Sequence, residues 1–164
     1  MSENTFELGA GDSYIEKIRH SAAHIMAQAV KRIYPEAKFG VGPTIENGFY
    51  YDMLLNTPLD QMALNKIEKE MKKIVSSNFE FKRTELSKEE ALDFFKEKNQ
   101  DFKLEIIRDL GHEKFSLYQQ GEFIDLCRGP HINKTSELKH FKLLRVSGAY
   151  WRADETKPMP VSYT

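Results

Sequence analysis

The chain has 164 residues, of which 40% are hydrophobic and 30% charged, and its formal net charge is −1. This length and composition predict one globular domain, and the charge excludes a bulk electrostatic grip on nucleic acid while allowing recognition of a short single-stranded end. One cysteine excludes an internal disulfide framework. Because no run of 18 apolar residues and no signal-like N-terminus occurs, we expect a cytoplasmic protein without membrane contact.

The first predicted element is a long helix that follows an irregular lead-in at residues 1–13. Ser13 and Glu16 form a capping box that predicts the helix start, and Pro35 predicts its end. Apolar residues follow at spacings of three and four between these limits. The stripe consists of Ile15, Ile18, Ala22, Ile25, Ala29 and Ile33.

His20 and His24 lie four residues apart on the face opposite this stripe. The flanks of the helix are apolar too, so we expect it to be buried nearly all round, with both imidazoles directed into an internal cleft. Spacing alone leaves a second interpretation open, in which the two histidines are solvated or hydrogen-bonded.

An extended segment is predicted from Phe39 to Met53, with Asn47-Gly48 as its hairpin turn. Gly42-Pro43 interrupts the first arm and indicates a loop whose backbone could approach a ligand closely. Tyr50 and Tyr51 must point to opposite faces of the second arm, so only one of them can line a cleft. Either could instead belong to the sheet core.

The middle of the chain predicts packing elements. Thr57-Pro58 marks the start of a helix that runs through Ile74, and Asn78 to Leu86 alternates as a strand. A second capping box at Ser87 and Glu90 opens a short helix.

Further strands are predicted in the second half of the chain. Phe102 to Ile107 alternates as a half-buried strand, which places Lys103 on the face opposite the apolar residues and favours a solvated lysine. Phe115 to Gln119 and Glu122 to Cys127 predict a hairpin, and His140 to Val146 predicts a last strand before a tail at residues 160–164.

The segment from Asp125 to His131 contains the most distinctive chemistry. Asp125 and Cys127 share one face of their predicted strand, and the Gly129-Pro130 turn returns His131 to the same end. The result is a C-x-x-x-H pair beside the earlier H-x-x-x-H pair. Such donors suit water activation, proton transfer or zinc.

These elements predict an α+β domain, in which an antiparallel sheet surrounds a central buried helix and further helices flank it. The sequence contains no G-x-x-x-x-G-K-[ST], G-x-G-x-x-G or G-x-S-x-G motif. Phosphoryl transfer, dinucleotide redox chemistry and serine-hydrolase chemistry therefore have no support.

Four motifs together resemble the editing domain, the second additional domain, of bacterial threonyl-tRNA synthetase, and more distantly that of alanyl-tRNA synthetase. The similarity covers residues 14–159 as a single domain. The motifs are His20-Ser-Ala-Ala-His24, Gly42-Pro-Thr-Ile-Glu-Asn-Gly-Phe-Tyr-Tyr-Asp52, Asp125-Leu-Cys-Arg-Gly-Pro-His131 and Gly148-Ala-Tyr-Trp-Arg152.

The resemblance implies that the domain hydrolyses serine from the terminal adenosine of mischarged threonine tRNA. Serine lacks one methyl group of threonine, and about 1–3 kcal/mol of discrimination is too little for faithful charging without a second sieve. The implied catalytic residues are His20, Lys103 and Cys127. The implied substrate-binding residues are His24, Tyr51, Asp125 and His131, with Asp125 on the seryl amine or hydroxyl and Tyr51 on the adenosine side.

The expected partner is the acceptor end of threonine tRNA carrying serine, and no cofactor is expected to be required. Zinc is the candidate metal if one binds, through His20, His24, Cys127 and His131. The family's full-length members continue into an aminoacylation domain that this sequence lacks, and the resemblance implies a homodimeric parent enzyme. Two alternatives stay open: a zinc-dependent deacylase of the alanyl type, and a non-catalytic module that binds tRNA ends.

Overall fold

The computed structural model describes residues 10–42, 44–148 and 161–163. The α-helices within these ranges are α1 (Ala10–Ile33), α2 (Gln61–Ser77), α3 (Lys88–Glu97) and α4 (Asp101–Leu110). The strands are β1 (Lys38–Phe39), β2 (Thr44–Ile45), β3 (Gly48–Phe49), β4 (Tyr51–Leu54), β5 (Lys82–Ser87), β6 (Lys114–Gln120), β7 (Phe123–Leu126), β8 (Val146–Gly148) and β9 (Val161–Tyr163). A 3₁₀ turn spans Thr135–Glu137.

The predicted α+β class is confirmed, although the strands of the described residues form three small antiparallel sheets. Their orders are β1-β4-β9-β8, β2-β3 and β5-β6-β7. No helix within the described ranges has the length and apolar character needed to cross a bilayer.

The predicted central helix is also confirmed. Every residue of α1 from Ser21 to Val30 is buried. The small side chains among them let α2 approach closely, and Ile67, Met71 and Ile74 of α2 join Ile25 in the main apolar cluster. A second cluster lies between the β5-β6-β7 sheet and the helices α3 and α4. The main core therefore surrounds the helix that carries both paired histidines.

The strand predicted from Phe102 to Ile107 is wrong, because these residues form α4. Leu104 and Ile107 pack into the second cluster, while Phe102 and Ile106 form a separate one against Leu54 and Leu126. A helix that is buried on two sides has apolar residues at alternate positions as well as at helical spacing, so it resembles a strand in sequence.

The prediction of a solvated Lys103 is wrong for the same reason. Its side chain leaves α4 between the two apolar faces, and the residue is only 3% exposed. Gly111 ends α4 with a left-handed φ of 62°. A glycine just after this segment is the signal in the sequence that could have indicated a helix.

Several predicted boundaries also move. Helix α1 begins at Ala10 and not at Ser13, so residues 10–13 are not irregular. Helix α2 begins at Gln61 and not at Pro58, because the Asp60 carboxylate caps it by accepting the N–H of Ala63 at 2.8 Å. The helix α3 has the predicted capping box at Ser87.

The β-structure differs from the prediction in similar ways. The β2-β3 hairpin pairs Ile45 with Gly48, so its turn lies one residue earlier than predicted, and in the segment from Asn78 only β5 is a regular strand. The β6-β7 hairpin is confirmed.

The last predicted strand, from His140 to Val146, is wrong before Val146. The backbone N–H of Leu143 donates a hydrogen bond to the Glu68 carboxylate of α2 at 2.7 Å, and not to a neighbouring strand. The predicted tail is wrong for residues 161–163, which form β9 between β4 and β8. The predicted motif at Gly148 lies mostly outside the described residues.

The left-handed end of α4 leads to a stability prediction. Gly111→Ala should lower the free energy of unfolding by about 1 kcal/mol, since a Cβ there meets no atom within 4 Å and only the positive φ is unfavourable. Gly111→Asn should lose less, because asparagine tolerates this conformation. Urea denaturation would measure both, and an alanine variant as stable as the wild type would contradict this helix end.

Candidate active site

Two segments that are far apart in sequence meet at the centre of the domain. His20 and His24 lie one turn apart on α1, so both rings leave the helix on the same side. Cys127 directly follows β7, and His131 follows the Gly129-Pro130 turn, whose peptide bond is cis. One ligand atom from each of these four side chains lies within 4.8 Å of the others. The structure therefore brings the two paired motifs into one site.

The Cys127 thiol lies at the centre of this cluster. Its Sγ is 3.2 Å from Nε2 of His20 and 3.1 Å from Nε2 of His131, and the backbone N–H of Gly129 donates to it at 3.2 Å. Burial raises the pKa of Cys127 to about 12, so the metal-free protein holds a neutral thiol at pH 7. Because the thiolate is the nucleophilic form, this environment favours an orienting role over attack on a substrate.

The His131 ring is fixed on several sides. Its Nδ1 lies 3.0 Å from Oγ of Ser21, which also accepts the backbone N–H of Ile132 at 3.0 Å. The ring stacks on Phe81 at 5.0 Å between centroids and meets Tyr118 edge-on at 4.5 Å. Burial strongly lowers the pKa of His131, so the imidazole is neutral. These contacts hold one ring orientation beside the cysteine.

A second group of side chains surrounds a buried ion pair. Nζ of Lys103 lies 2.9 Å from Oδ1 of Asp125, and both side chains are less than 5% exposed. The ammonium also donates to the backbone carbonyl of Gly40 at 2.6 Å and to the hydroxyl of Tyr51 at 2.9 Å. The Tyr51 hydroxyl in turn donates to Oδ2 of Asp125. All three N–H donors of the lysine therefore have acceptors.

The electrostatics of this group are set by burial. Burial raises the pKa of Tyr51 well above its ordinary value, with the Asp125 carboxylate as a second cause, so the phenol is neutral. Removing either member of a buried ion pair leaves an uncompensated buried charge. Single substitutions in such a pair therefore strongly destabilise the protein.

His24 lies between the two groups. Its Nε2 is 3.7 Å from Oδ2 of Asp125, which is longer than a hydrogen bond. Its Nδ1 is buried and has no hydrogen-bond partner among the described residues. Burial lowers the pKa of His24 well below its ordinary value, and the nearby His20 and Lys103 lower this pKa further, so the ring is neutral. The pKa of His20 is lowered as well, mainly by burial.

A cleft opens onto both groups. Six of the seven site residues predicted from sequence line it, namely His20, His24, Tyr51, Lys103, Asp125 and Cys127. Its apolar wall is formed by Val41, Ile106 and Leu126. The seventh, His131, is buried behind the others and does not line the cleft.

Two further contributors were not predicted from the sequence. Ser21 holds His131, although its place between the paired histidines was a usable signal. Gly40 contributes only its carbonyl oxygen, which no residue type reveals. The close approach of Gly42 to a ligand stays a prediction: Gly42 lines the cleft and packs against Tyr51, whose ring a Cβ at this position would clash with. Of the two tyrosines, Tyr51 is the one in the site, and Tyr50 is half-buried.

The four-residue His/Cys cluster fits a zinc ion in its donor set. Tetrahedral zinc with bonds of about 2.3 Å to sulfur and 2.0 Å to nitrogen requires about 3.5 Å between sulfur and nitrogen ligands. The observed separations from Cys127 Sγ to His20 and His131 are 3.2 and 3.1 Å, close to this value, and the four ligand atoms all lie within 4.8 Å of one another, so the ligands would have to adjust to hold the ion. Ser21 beside Nδ1 of His131 is suited to orient that ligand, as second-shell groups do.

Comparison with known protein families defines the class of this domain. The family described as the threonyl and alanyl tRNA synthetase second additional domain matches residues 115–157. The match covers β6, β7 and the Cys127–His131 segment, which is one of the two halves of the site. This part of the chain is thus similar to that family.

Relatives that match along most of the chain are of the threonyl type and not the alanyl type. The sequence is 52% identical over 145 residues to a threonine–tRNA ligase of Clostridium novyi strain NT, covering 88% of this chain and 23% of that protein. It is 54% identical over 147 residues to the enzyme of Dehalococcoides mccartyi strain CBDB1 (90% and 25%), and 55% over 141 residues to threonine–tRNA ligase 2 of Bacillus subtilis strain 168 (85% and 22%).

The chain belongs to the threonyl-tRNA synthetase editing-type domains. It spans about a quarter of the length of the relatives that it matches.

The buried neutral histidines predict a pH dependence of stability. Their folded-state pKa values lie below the unfolded value near 6.5, so the stabilisation is complete above about pH 6.5 and is lost as the pH falls. For metal-free protein, the free energy of unfolding should decrease between pH 6.5 and 5. In His24→Leu, this slope should be shallower by up to about 1.4 kcal/mol per pH unit.

Urea titrations at several pH values would measure these slopes. Met26→Ala, a buried substitution on the same helix without a titratable group, should lower stability at every pH and keep the wild-type slope. Equal slopes in His24→Leu and wild type would show that the ring takes up its proton equally in the folded and unfolded states.

Proposed function

We propose that this domain hydrolyses the ester bond of serine wrongly attached to the terminal adenosine of threonine tRNA. The observation that carries the proposal is the joint opening of His20, Lys103 and Asp125 onto one cleft. These groups are a neutral base, an ammonium and a carboxylate. Ester hydrolysis of a substrate that bears an α-amino group can use all three.

Asp125 is proposed to bind the seryl α-amino group or hydroxyl. Its carboxylate accepts from Lys103, from the Tyr51 hydroxyl and from the backbone N–H of Leu126, and it also lines the cleft, where a substrate donor could reach it. The Tyr51 hydroxyl donates to Asp125, and Tyr51 is proposed to lie on the adenosine side of the substrate. His24 borders the same carboxylate and completes the pocket.

His20 is proposed to accept a proton from the attacking water. The lowered pKa keeps the imidazole neutral at pH 7, which is the protonation state that a general base needs. Cys127 and, behind it, His131 hold the orientation of this ring through the sulfur contacts. The water is thereby directed at an ester carbonyl bound across the cleft.

Lys103 is proposed to stabilise the charge that develops on the ester oxygens and to supply a proton to the leaving ribose oxygen. Its three N–H donors are all engaged in the substrate-free domain. A substrate amine that binds Asp125 would replace one of these contacts and release a donor for the reacting oxygen. The ammonium would then act only when the α-amino group is in place.

Selectivity for serine is proposed to rest on size. A second sieve accepts the smaller amino acid and excludes the correct one, since attraction alone separates them by only about 1–3 kcal/mol. The packing of Gly42 against the Tyr51 ring, with no room for a Cβ, supports a narrow wall at this point.

Metal-independent hydrolysis is the preferred mechanism. A zinc bound by His20, His24, Cys127 and His131 would supply a Lewis acid, but four protein ligands leave no open position for water and occupy the proposed base. The alternative is a zinc-dependent deacylase of the alanyl type, which the donor set of the cluster favours.

The relatives are threonine–tRNA ligases, which supports a setting in tRNA charging. We propose that the domain works in the cytoplasm on the tRNA acceptor end, as part of a longer homodimeric ligase. The alternative of a module that only binds tRNA ends is separated from the deacylase by turnover alone.

The domain should deacylate threonine tRNA charged with serine and largely spare the threonine-charged form. Release of labelled amino acid from each tRNA would be measured with the full chain, before and after exhaustive chelation. Equal rates on both tRNAs would contradict the size argument. Activity that is lost on chelation and restored by stoichiometric zinc would establish the zinc-dependent alternative, and binding without turnover would establish the non-catalytic one.

Replacing the proposed proton carriers should lower the rate without loss of the fold. His20→Ala and Lys103→Met should each reduce kcat by about 10²–10⁴, and the double variant should lose less than the product of the two. Lys96→Met, an exposed lysine on α3, is the matched control and should retain full activity. Assays would be run well below each melting temperature, because Lys103→Met leaves Asp125 unpaired. Full activity in Lys103→Met would remove the lysine from the reaction.

A further inference from the structure

A second concavity adjoins the cleft at the end of β7, and we call it the basic groove. It is lined by Arg83, Lys114, Ser116 and Arg128, together with Glu85 and His112. We propose that the basic groove holds the phosphodiester backbone of the RNA strand whose 3′ end enters the cleft. This inference rests on the proposed function, for which it supplies the surface that receives the polynucleotide.

The groove exists because the three strands of its sheet have unequal lengths. β5 and β6 pair along their whole lengths, from Lys82 with Gln119 to Ser87 with Lys114. β7 pairs with β6 only as far as Leu126 opposite Leu117. Beyond that point the first residues of β6 have no strand of the described chain on this side. The step left beside them is the floor of the groove.

The chain that leaves β7 borders this step and is fastened to it. The backbone N–H of Cys127 donates to the carbonyl of Ser116 at 3.1 Å, and the Ser116 hydroxyl donates to the carbonyl of Cys127 at 2.7 Å. These two hydrogen bonds hold the site cysteine and the groove at a constant separation. An RNA strand bound in the groove would therefore have a fixed position relative to the cleft.

The groove is locally cationic in a chain whose net charge is −1. Arg83, Lys114 and Arg128 are exposed. The carboxylate facing them is that of Glu85, which pairs with Arg83 at 3.0 Å. Cations spaced along a groove are the usual means of holding a single strand by its phosphates, without reading its sequence.

Continuity with the cleft identifies the occupant. Leu126, Cys127 and Arg128 line both the basic groove and the cleft, so the two concavities adjoin at these residues. Another concavity beside α2 also contains lysines, Lys72 and Lys139, but it shares no lining residue with the cleft. A strand whose terminal nucleoside occupies the cleft would extend into the groove, and its phosphates would meet these cations.

The test neutralises the groove without touching the proposed catalytic residues or Arg128. In the variant Arg83→Gln/Lys114→Gln, KM for serine-charged threonine tRNA should rise about tenfold while kcat stays near the wild-type value. The dependence of log kcat/KM on log salt concentration should flatten by about 1.4, since each single-strand phosphate contact contributes about 0.7. The matched control is Lys72→Gln/Lys139→Gln, which should change neither quantity.

A small substrate separates backbone binding from damage to the cleft. Adenosine esterified with serine has no phosphodiester, so wild type and groove variant should hydrolyse it at the same rate. An equal loss on this ester and on the tRNA would overturn the inference. So would an unchanged KM and salt dependence on the tRNA.

Direct binding keeps the groove testable if the domain turns out not to hydrolyse esters. The probe is a fluorescent single-stranded oligoribonucleotide that ends in the tRNA sequence CCA, measured by anisotropy. Weaker binding by the groove variant, with normal binding by the control variant, would support the groove even in the absence of hydrolysis. Equal binding by all three proteins would overturn it independently of the proposed reaction.

Discussion

The buried ion pair between Lys103 and Asp125 is the interaction on which the site depends. It joins α4 to β7, and through the Tyr51 hydroxyl and the Gly40 carbonyl it also holds β4 and the loop after β1. Two charges this deeply buried are stable only with nearly complete hydrogen bonding. The positions of four separate chain segments are therefore constrained together. The cleft is shaped by this requirement as much as by apolar packing.

The pair also carries the charge of the buried part of the site, whose other titratable groups are neutral. Burial keeps the three imidazoles, the Cys127 thiol and the Tyr51 phenol uncharged. Uncharged rings can approach a thiol and one another closely without repulsion, and His20 and His131 stack with centroids 4.4 Å apart. The same neutrality makes the cluster available either to hydrogen bonding or to a metal ion. Which of the two applies depends on metal supply as well as on geometry.

Sequence reasoning predicted the parts of the site that depend on local spacing. One helical turn separates His20 from His24, and one strand end and turn separate Cys127 from His131, so their pairing could be seen without a structure. Lys103 could not be placed in this way. Its neighbours are apolar at alternate positions because α4 is buried on two sides, and this pattern is shared with a strand. Within the segment itself only tertiary packing distinguishes the two, and the resemblance to a family was what indicated Lys103.

The double use of α1 has a consequence for how such domains can diverge. Between Ser21 and Val30 the helix is buried throughout, and it also carries the paired histidines. A core substitution that shifts the helix by a fraction of an ångström would move both rings relative to Cys127, and misplacements near 1 Å can cost about 10²-fold in rate. Substitutions in the interior would therefore change the site and, under the proposed function, the accuracy of charging. We expect the interior of this helix to evolve at the pace of a catalytic motif.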